Sequence, residues 1–284
     1  MPDTSPRVDH VVINVAEELD AAQRQYQKLG FFLTLRGHHT LGSSNHLAIF
    51  DNNYLELLGY EAKNVATIPV GVAETARGFS GLAFKTRDAD ALFNTLKARG
   101  VTLGEHAPNA FSRPVDLGDG SAPDIHFRTF RLDPGATPKR RYFFCQNLDP
   151  ELLWRKEWQQ HPNGVLAISR VVVEAKDPAA SIALFAQTFG KDSIRDIADG
   201  YRLQTPTGAV EVITREAAAT AFGNALPPRE NDDDRKIALT LRVRSLVDTR
   251  QLLKQNGVSV IDKSATSLIV PANEAFGLAL EFIS

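Results

Sequence analysis

Apolar and polar positions alternate in short runs that recur four times along the chain. The first run, residues 9–15, is followed by a polar turn and by helix-like spacing from Leu19 that closes at Gly30. Moved by 160 positions, it falls without a gap on residues 169–175, a helix-like stretch from Ala179, and Gly190. A second pair behaves alike. Residues 81–86 lead into Leu92 and Leu96, four apart on one helical face, and close at Gly100-Val101. Moved by 157 positions, they meet residues 238–243, 248–253 and Gly257-Val258. Each block reads as a strand, a turn and an amphipathic helix ended by glycine. The near-equal shifts mark a duplicated two-unit block.

Further strand-like runs follow each helix. They are residues 31–35, 46–50 and 54–58 in the first unit, with a hairpin signal at Asp51-Asn52-Asn53. The second unit offers 125–130 and 141–144, the third 201–204 and 210–213, and the fourth 278–283. Each unit therefore reads as βαβββ, an α+β pattern. One helix shields one face of a sheet, so two units are expected to pair into a curved, barrel-like mixed sheet of about eight strands, near the size that encloses one small ligand. The expected organisation is residues 7–147 (units one and two), a connector at 148–164, and 165–284 (units three and four). The connector carries a helix-like stretch at 151–154, with Trp154 and Trp158 four apart and so expected on one helical face. The polar segment 227–234 reads as a solvated loop between units three and four.

Composition narrows the class. The hydrophobic fraction of 43% is that of a core-forming globular protein, and a net charge of -2 argues against a nucleic-acid partner. Lys139-Arg140-Arg141 is a short basic cluster, read as a turn into a strand. The sole cysteine, Cys145, sits in an apolar run, which predicts a buried inert thiol and no disulfide framework. No apolar run approaches the ~20 residues that span a bilayer, and residues 1–6 lack a signal-peptide core, so a cytoplasmic protein without a membrane partner is expected.

The chemistry-bearing pair is His10, opening the first strand, and Glu56, inside the last strand of the same unit. Alternation sets Glu56 opposite Leu55 and Leu57. On the concave face the two would hold a divalent metal or relay a proton; on the outer face they would be ordinary surface groups. Tyr54, Phe127, Tyr142, Trp154 and Trp158 offer flat walls to a small-molecule ligand. Arg128, Arg131 and Arg141 offer anion contacts.

Asp9-His10-Val11-Val12 with Tyr54-Leu55-Glu56-Leu57-Leu58, inside βαβββ units, resembles the vicinal oxygen chelate superfamily. Asn45 and His161-Pro162-Asn163-Gly164 are similar to the narrower group of bacterial glyoxalase-like domain proteins. The resemblance implies two glyoxalase-like domains, with first-strand histidines and last-strand glutamates converging on a metal that chelates vicinal substrate oxygens. It implies His10 and Glu56 as ligands of one divalent ion (Zn, Ni, Mn or Fe), with Glu56 also the catalytic proton acceptor. Asn45, Tyr54, Arg128, Tyr142 and Trp154 would line the substrate.

The departures are equally specific. Unit two offers Ser80-Gly81 where a second histidine is expected, and its last strand has only the neutral donor Gln146. His126, His46 or His161 could complete the set; without them two ligands fall short of the three usual at a catalytic site, and no metal would be held. Arg170 takes the place of His10 in unit three, while Glu211 and Glu281 keep the strand carboxylate. That is an ion-pair pattern, so units three and four are expected to act as a scaffold or as the contact of a homodimer, and a ring-cleaving dioxygenase is disfavoured. The reading is a metal-assisted lyase or isomerase of a small oxygen-rich metabolite. The alternative is a sequestering protein of the same fold without chemistry.

Overall fold

The computed structural model describes residues 5–61, 77–104, 106–132 and 141–284. The first unit is β1 (Val8–Ala16), a helix (Leu19–Lys28), β2 (Gly37–His38), β3 (Ser44–Ile49) and β4 (Tyr54–Gly59). The second is β5 (Gly78–Lys85), a helix (Ala89–Ala98), β6 (Asn109–Pro114), β7 (Asp124–Arg131) and β8 (Arg141–Asn147). They form one eight-stranded sheet in the order β2-β3-β4-β1-β5-β8-β7-β6. The central pair β1 and β5 is antiparallel, and each is parallel to the last strand of its own unit. The sheet curls until its ends meet, where the Thr40 backbone N–H donates to the Ser112 carbonyl at 3.1 Å.

The second half repeats the plan. It has β9 (Val165–Ala175), a helix (Pro178–Phe189), β10 (Ile194–Ile197), β11 (Gly200–Thr205) and β12 (Gly208–Thr214). After a helix at Arg215–Phe222 come β13 (Arg235–Val243), a helix (Leu246–Gln255), β14 (Ile261–Ser264), β15 (Ser267–Val270) and β16 (Ala279–Ile283). Strand order is again matched: β10-β11-β12-β9-β13-β16-β15-β14. No described helix is long and apolar enough to cross a membrane.

Side-chain alternation divides the core in three. Val11, Ile13 and Val15 of β1, Val171 and Val173 of β9, and the helix residues Tyr26, Phe93, Phe185 and Leu253 share one large apolar cluster. Val12, Leu47, Tyr54 and Phe143 lie on the other face of the first sheet, and Val172, Ile237 and Ala279 on the corresponding face of the second. Apart from the first helix, whose Glu18 makes no side-chain cap bond, the helices start where short polar side chains accept backbone N–H groups, as Asp88 does from Ala91 and Asp177 from Ala179 and Ala180. Gly30 ends the first helix at φ +83°, and a Cβ there would sit 2.7 Å from Leu252 of the second half.

The halves are bonded through buried groups. Tyr26 Oη donates to the Ala275 carbonyl at 3.1 Å, and the Asn53 side chain brackets Ile168 by donating to its carbonyl and accepting its N–H. Tyr26→Phe removes one buried hydrogen bond, and urea unfolding is expected to register a loss of about 1 kcal/mol.

Three local expectations need correction. Residues 31–35 form no strand, because Thr34 bonds Leu47 through its side-chain oxygen as well as its backbone N–H. The connector holds two short 3-10 turns, Pro150–Leu152 and Lys156–Gln159, so Trp154 and Trp158 do not share a helical face. Strands β2, β6, β10, β14 and β15 and the helix at Arg215–Phe222 went unpredicted; β14 is wholly exposed, and β6 carries one large apolar residue, so neither of these two shows alternation. Arg141 opens β8, while Lys139 and Arg140 lie outside the described residues.

Candidate active site

His10 and Glu56 do meet on the concave face. β1 and β4 run parallel with Val12 opposite Glu56 and His10 opposite Tyr54. Leu55 and Leu57 go to the central core, so Tyr54 and Glu56 turn inward. The His10 ring stacks on Tyr54 at 4.4 Å and meets the Phe143 edge at 5.3 Å.

A bulge adds a third member. Along β1, Val8 pairs Phe84 and His10 pairs Ala83, so Asp9 is an extra residue opposite two consecutive partners. Val8 and Val11 both enter the central core although three apart. Asp9 and His10 are thereby both turned from it. Asp9 Oδ2 accepts from His10 Nδ1 at 2.8 Å, which leaves Nε2 to face Glu56 Oε2 at 3.8 Å.

Glu56 is buried, and burial would raise its carboxyl. In the acid range where it titrates, the charges of His10 and His39, the Asn45 hydrogen bond and Arg141 outweigh that and hold it below the ordinary value. Asn45 Nδ2 donates to Glu56 Oε1 at 2.7 Å and lies 3.3 Å from His39 Nε2. Burial, aided by Arg113, Arg141 and His38 against the pull of Glu56, pushes His39 down to about 4. His39 is therefore neutral near pH 7 and able to accept from Asn45. These groups border a cavity of about 130 Å³, walled by Leu47, Phe111, Phe127 and Phe143 and reached also by Arg113 and Arg141.

Other residues picked from the sequence lie elsewhere. Trp154 packs edge-on against Tyr54 at 6.0 Å, behind the cavity wall. Tyr142 points into the central core against Phe185, because it alternates with Phe143. Arg128 pairs with Asp90 at 2.6 Å, and Gln146 accepts from Ala89 N–H and donates to the Arg87 carbonyl. His126 is exposed and bonded to Asp149. His161 accepts from Phe32 N–H at Nδ1 and donates from Nε2 to the Ile49 carbonyl, so neither nitrogen is available to a metal. His46 is similarly engaged by Thr34 and Arg36. The residues missed from sequence are Asp9, His39 and Arg113. Only Asp9, adjacent to His10, carried a signal.

The family's metal set can be tested position by position. β5 and β8 pair in parallel with Ala83 opposite Phe143, as Val12 lies opposite Glu56. The antiparallel pairs His10–Ala83 and Val12–Gly81 flank Val11–Leu82, so the pseudo-twofold between the units makes Gly81 the counterpart of His10 and Ala83 that of Val12. Gly81 and Phe143 thus take the places of the second unit's histidine and carboxylate. A Cβ on Gly81 would already lie 3.0 Å from Val12 Cβ. The paired-unit metal site does not fit these residues. Among the described residues one other group could hold an ion: ligand atoms of Asp9, His10 and Cys145 lie within 4.8 Å of one another. Burial, with Asp9 and Glu56 adding to it, pushes the Cys145 thiol well up, against the thiolate that a metal would require.

In the second sheet the matching positions hold Arg170, Glu211 and Glu281. Arg170 Nη1 donates to Glu211 at 2.9 Å, Nη2 to Glu281 at 2.5 Å, and Nε to Thr240 Oγ1 at 2.9 Å. A guanidinium built into the chain lies between the two carboxylates.

The glyoxalase-like domain family profile matches residues 8–189. No curated protein matches the chain. A hypothetical protein from Staphylococcus aureus has a similar structure at TM-score 0.68 and 14% identity, covering 98% of each chain. A 4-hydroxymandelate synthase mutant from Streptomyces coelicolor is similar at TM-score 0.59 and 13% identity, covering 100% of this chain and 93% of that one. A xylose isomerase-like TIM barrel/4-hydroxyphenylpyruvate dioxygenase fusion protein follows at TM-score 0.57 and 11% identity, covering 100% of this chain and 50% of that one.

Proposed function

As the chain belongs to the glyoxalase-like domain family, we propose that its first sheet houses a lyase or isomerase that moves a proton on a small oxygen-bearing metabolite. The observation that carries this reading is the line Asp9–His10–Glu56, with His10 Nε2 and Glu56 Oε2 3.8 Å apart at one cavity wall. Glu56, held ionised, takes the proton from a carbon beside a carbonyl. His10 Nε2, oriented by the bond from Nδ1 to Asp9, protonates the oxygen or returns the proton to carbon. Two groups facing one cavity suit an isomerisation or an elimination, since each needs both a base and an acid. No step is routed through a metal, because Gly81 and Phe143 supply no ligands.

Deuterium uptake from heavy water into short hydroxy- and oxo-carbonyl compounds, followed by proton NMR, tests the reading. Exchange dependent on both His10 and Glu56 is the expected result. A ligand that stays bound through purification without exchange would instead make the protein a sequestering one. Asp9→Asn is expected to slow exchange at least about tenfold with KM little changed, since the amide no longer fixes the productive tautomer. Protein purified without chelators is expected to hold well under one divalent ion per chain. A stoichiometric ion, lost in both His10→Ala and Cys145→Ser, would overturn the metal-free scheme and locate the ion at Asp9–His10–Cys145.

A further inference from the structure

Arg113 has a burial that the protein itself does little to compensate. It is 4% exposed, its Nη1 donates only to the adjacent Pro114 carbonyl at 3.3 Å, and its Nε has no partner among the described residues. A guanidinium carries five N–H donors, and one buried with most of them unmet has a heavy desolvation penalty. Glu56 attracts it electrostatically, but Glu56 Oε1 is taken by Asn45 and Oε2 faces His10. Asn45 Oδ1, buried nearby, likewise has no partner among the described residues.

Room is kept beside this fork. A Cβ on Gly37 would fall 2.7 Å from Arg113 Nη1 and 2.6 Å from Asn45 Oδ1, so glycine is what lets both groups remain where they are. Arg141 adds a second guanidinium to the same cavity, 4.7 Å above the Phe143 ring. The remaining wall, Leu47, Phe111 and Phe127, is apolar.

We infer that the ligand of this cavity is a carboxylic acid whose carboxylate is received by Arg113, with Arg141 beside it, and whose carbon frame lies on the apolar wall. Arginine's planar fork matches a carboxylate with two parallel hydrogen bonds. The cavity, about 130 Å³, is close to the ~150 Å³ that accommodates a benzene ring, so the acid has at most about the bulk of one ring. This inference rests on the first-sheet cavity being the working site, and it adds the substrate class to the proton chemistry proposed there.

Isothermal titration of the full chain with acetate, pyruvate and benzoate, each against its amide, tests it. At least one acid is expected to bind about tenfold or more tightly than its amide, through the charge-assisted bonds it alone can make. Arg113→Met should abolish that preference, and Arg113→Lys, a point charge without the fork, should restore only part of it. Equal binding of every acid and its amide, including no binding by either, overturns the inference, as does a preference that survives Arg113→Met. Should Arg113→Met fail to fold, Gly37→Ala takes its place. It crowds Nη1 without removing the charge, and is expected to lower carboxylate affinity several-fold. His10→Ala separates the two readings. Carboxylate preference with no His10-dependent exchange sinks the proton chemistry alone, while exchange without that preference sinks the carboxylate assignment alone.

Discussion

Replacing Glu56 by glutamine is expected to lower deuterium exchange into substrate by about 10²–10⁴-fold, the range that one positioned acid–base group contributes. The substitution is nearly isosteric. Its amide oxygen can still accept from Asn45 Nδ2, which now reaches Glu56 Oε1 at 2.7 Å, so the wall of the cavity should stand. What disappears is the charge that takes the proton. His10→Ala should produce a similar fall, and the double variant little more than either single one, because groups acting as a unit are not additive. The pH dependence follows from the carboxyl held below its ordinary 4.5 despite burial. Glu56 stays ionised as pH falls through that value, so its base function persists where an unperturbed glutamate would already be half protonated. Rates measured by NMR, with circular dichroism to confirm the fold, decide the matter. Exchange within about tenfold of the native rate in Glu56→Gln would remove Glu56 from the role of base.

The second large effect concerns stability in the other sheet. Arg170→Met removes the cation lying between Glu211 and Glu281, both nearly fully buried. Breaking a buried pair by deleting one partner typically costs about 3–5 kcal/mol. Lys263 still reaches Glu281, at 2.9 Å, and Arg202 still pairs with Glu211, so the lower end, about 3 kcal/mol, is expected in urea unfolding. Burial alone would raise the Glu281 carboxyl; bonds from Lys263 and Thr240 and the charge of Arg170 bring it from 4.5 to about 2. A folded-state value below the unfolded one means that this stabilisation is full above the unfolded value. It is lost as pH falls through the folded value. The gap between native protein and Arg170→Met should therefore narrow as pH drops from 4.5 towards 2. A gap that stays constant over that window would show that Arg170 stabilises through packing instead. Ligand binding in the first cavity should be unaffected.

Much of the plan was legible in the residue pattern because its causes are local. A strand's period of two assigns faces, so Leu55 and Leu57 against Glu56 already separates core from cavity. Helices announce themselves by spaced leucines and a closing glycine. The duplicated shifts make four units countable before any contact is known, and they show that Arg170 replaces His10 in the third. Gly81 and the carboxylate-free β8 likewise expose the incomplete metal set.

Tertiary structure decided the rest, wherever a long-range contact overrides local alternation. The bulge opposite Ala83 and Phe84 turns Asp9 to the His10 side, whereas unbroken alternation would point it away. Closure of the sheet carries Arg113, from a strand with little pattern of its own, to within reach of a residue introduced far earlier, Gly37. His161 and Gln146 resemble ligands in sequence but spend their polar atoms on backbone groups that the fold would otherwise leave unpaired. The sequence by itself determined the strands that alternate clearly and, outside the bulge, which of their side chains share a face, since both depend on neighbours in the chain. Only the folded sheet decided which of those side chains are left with unmet hydrogen-bonding capacity facing a cavity, because that depends on every partner brought from a distance.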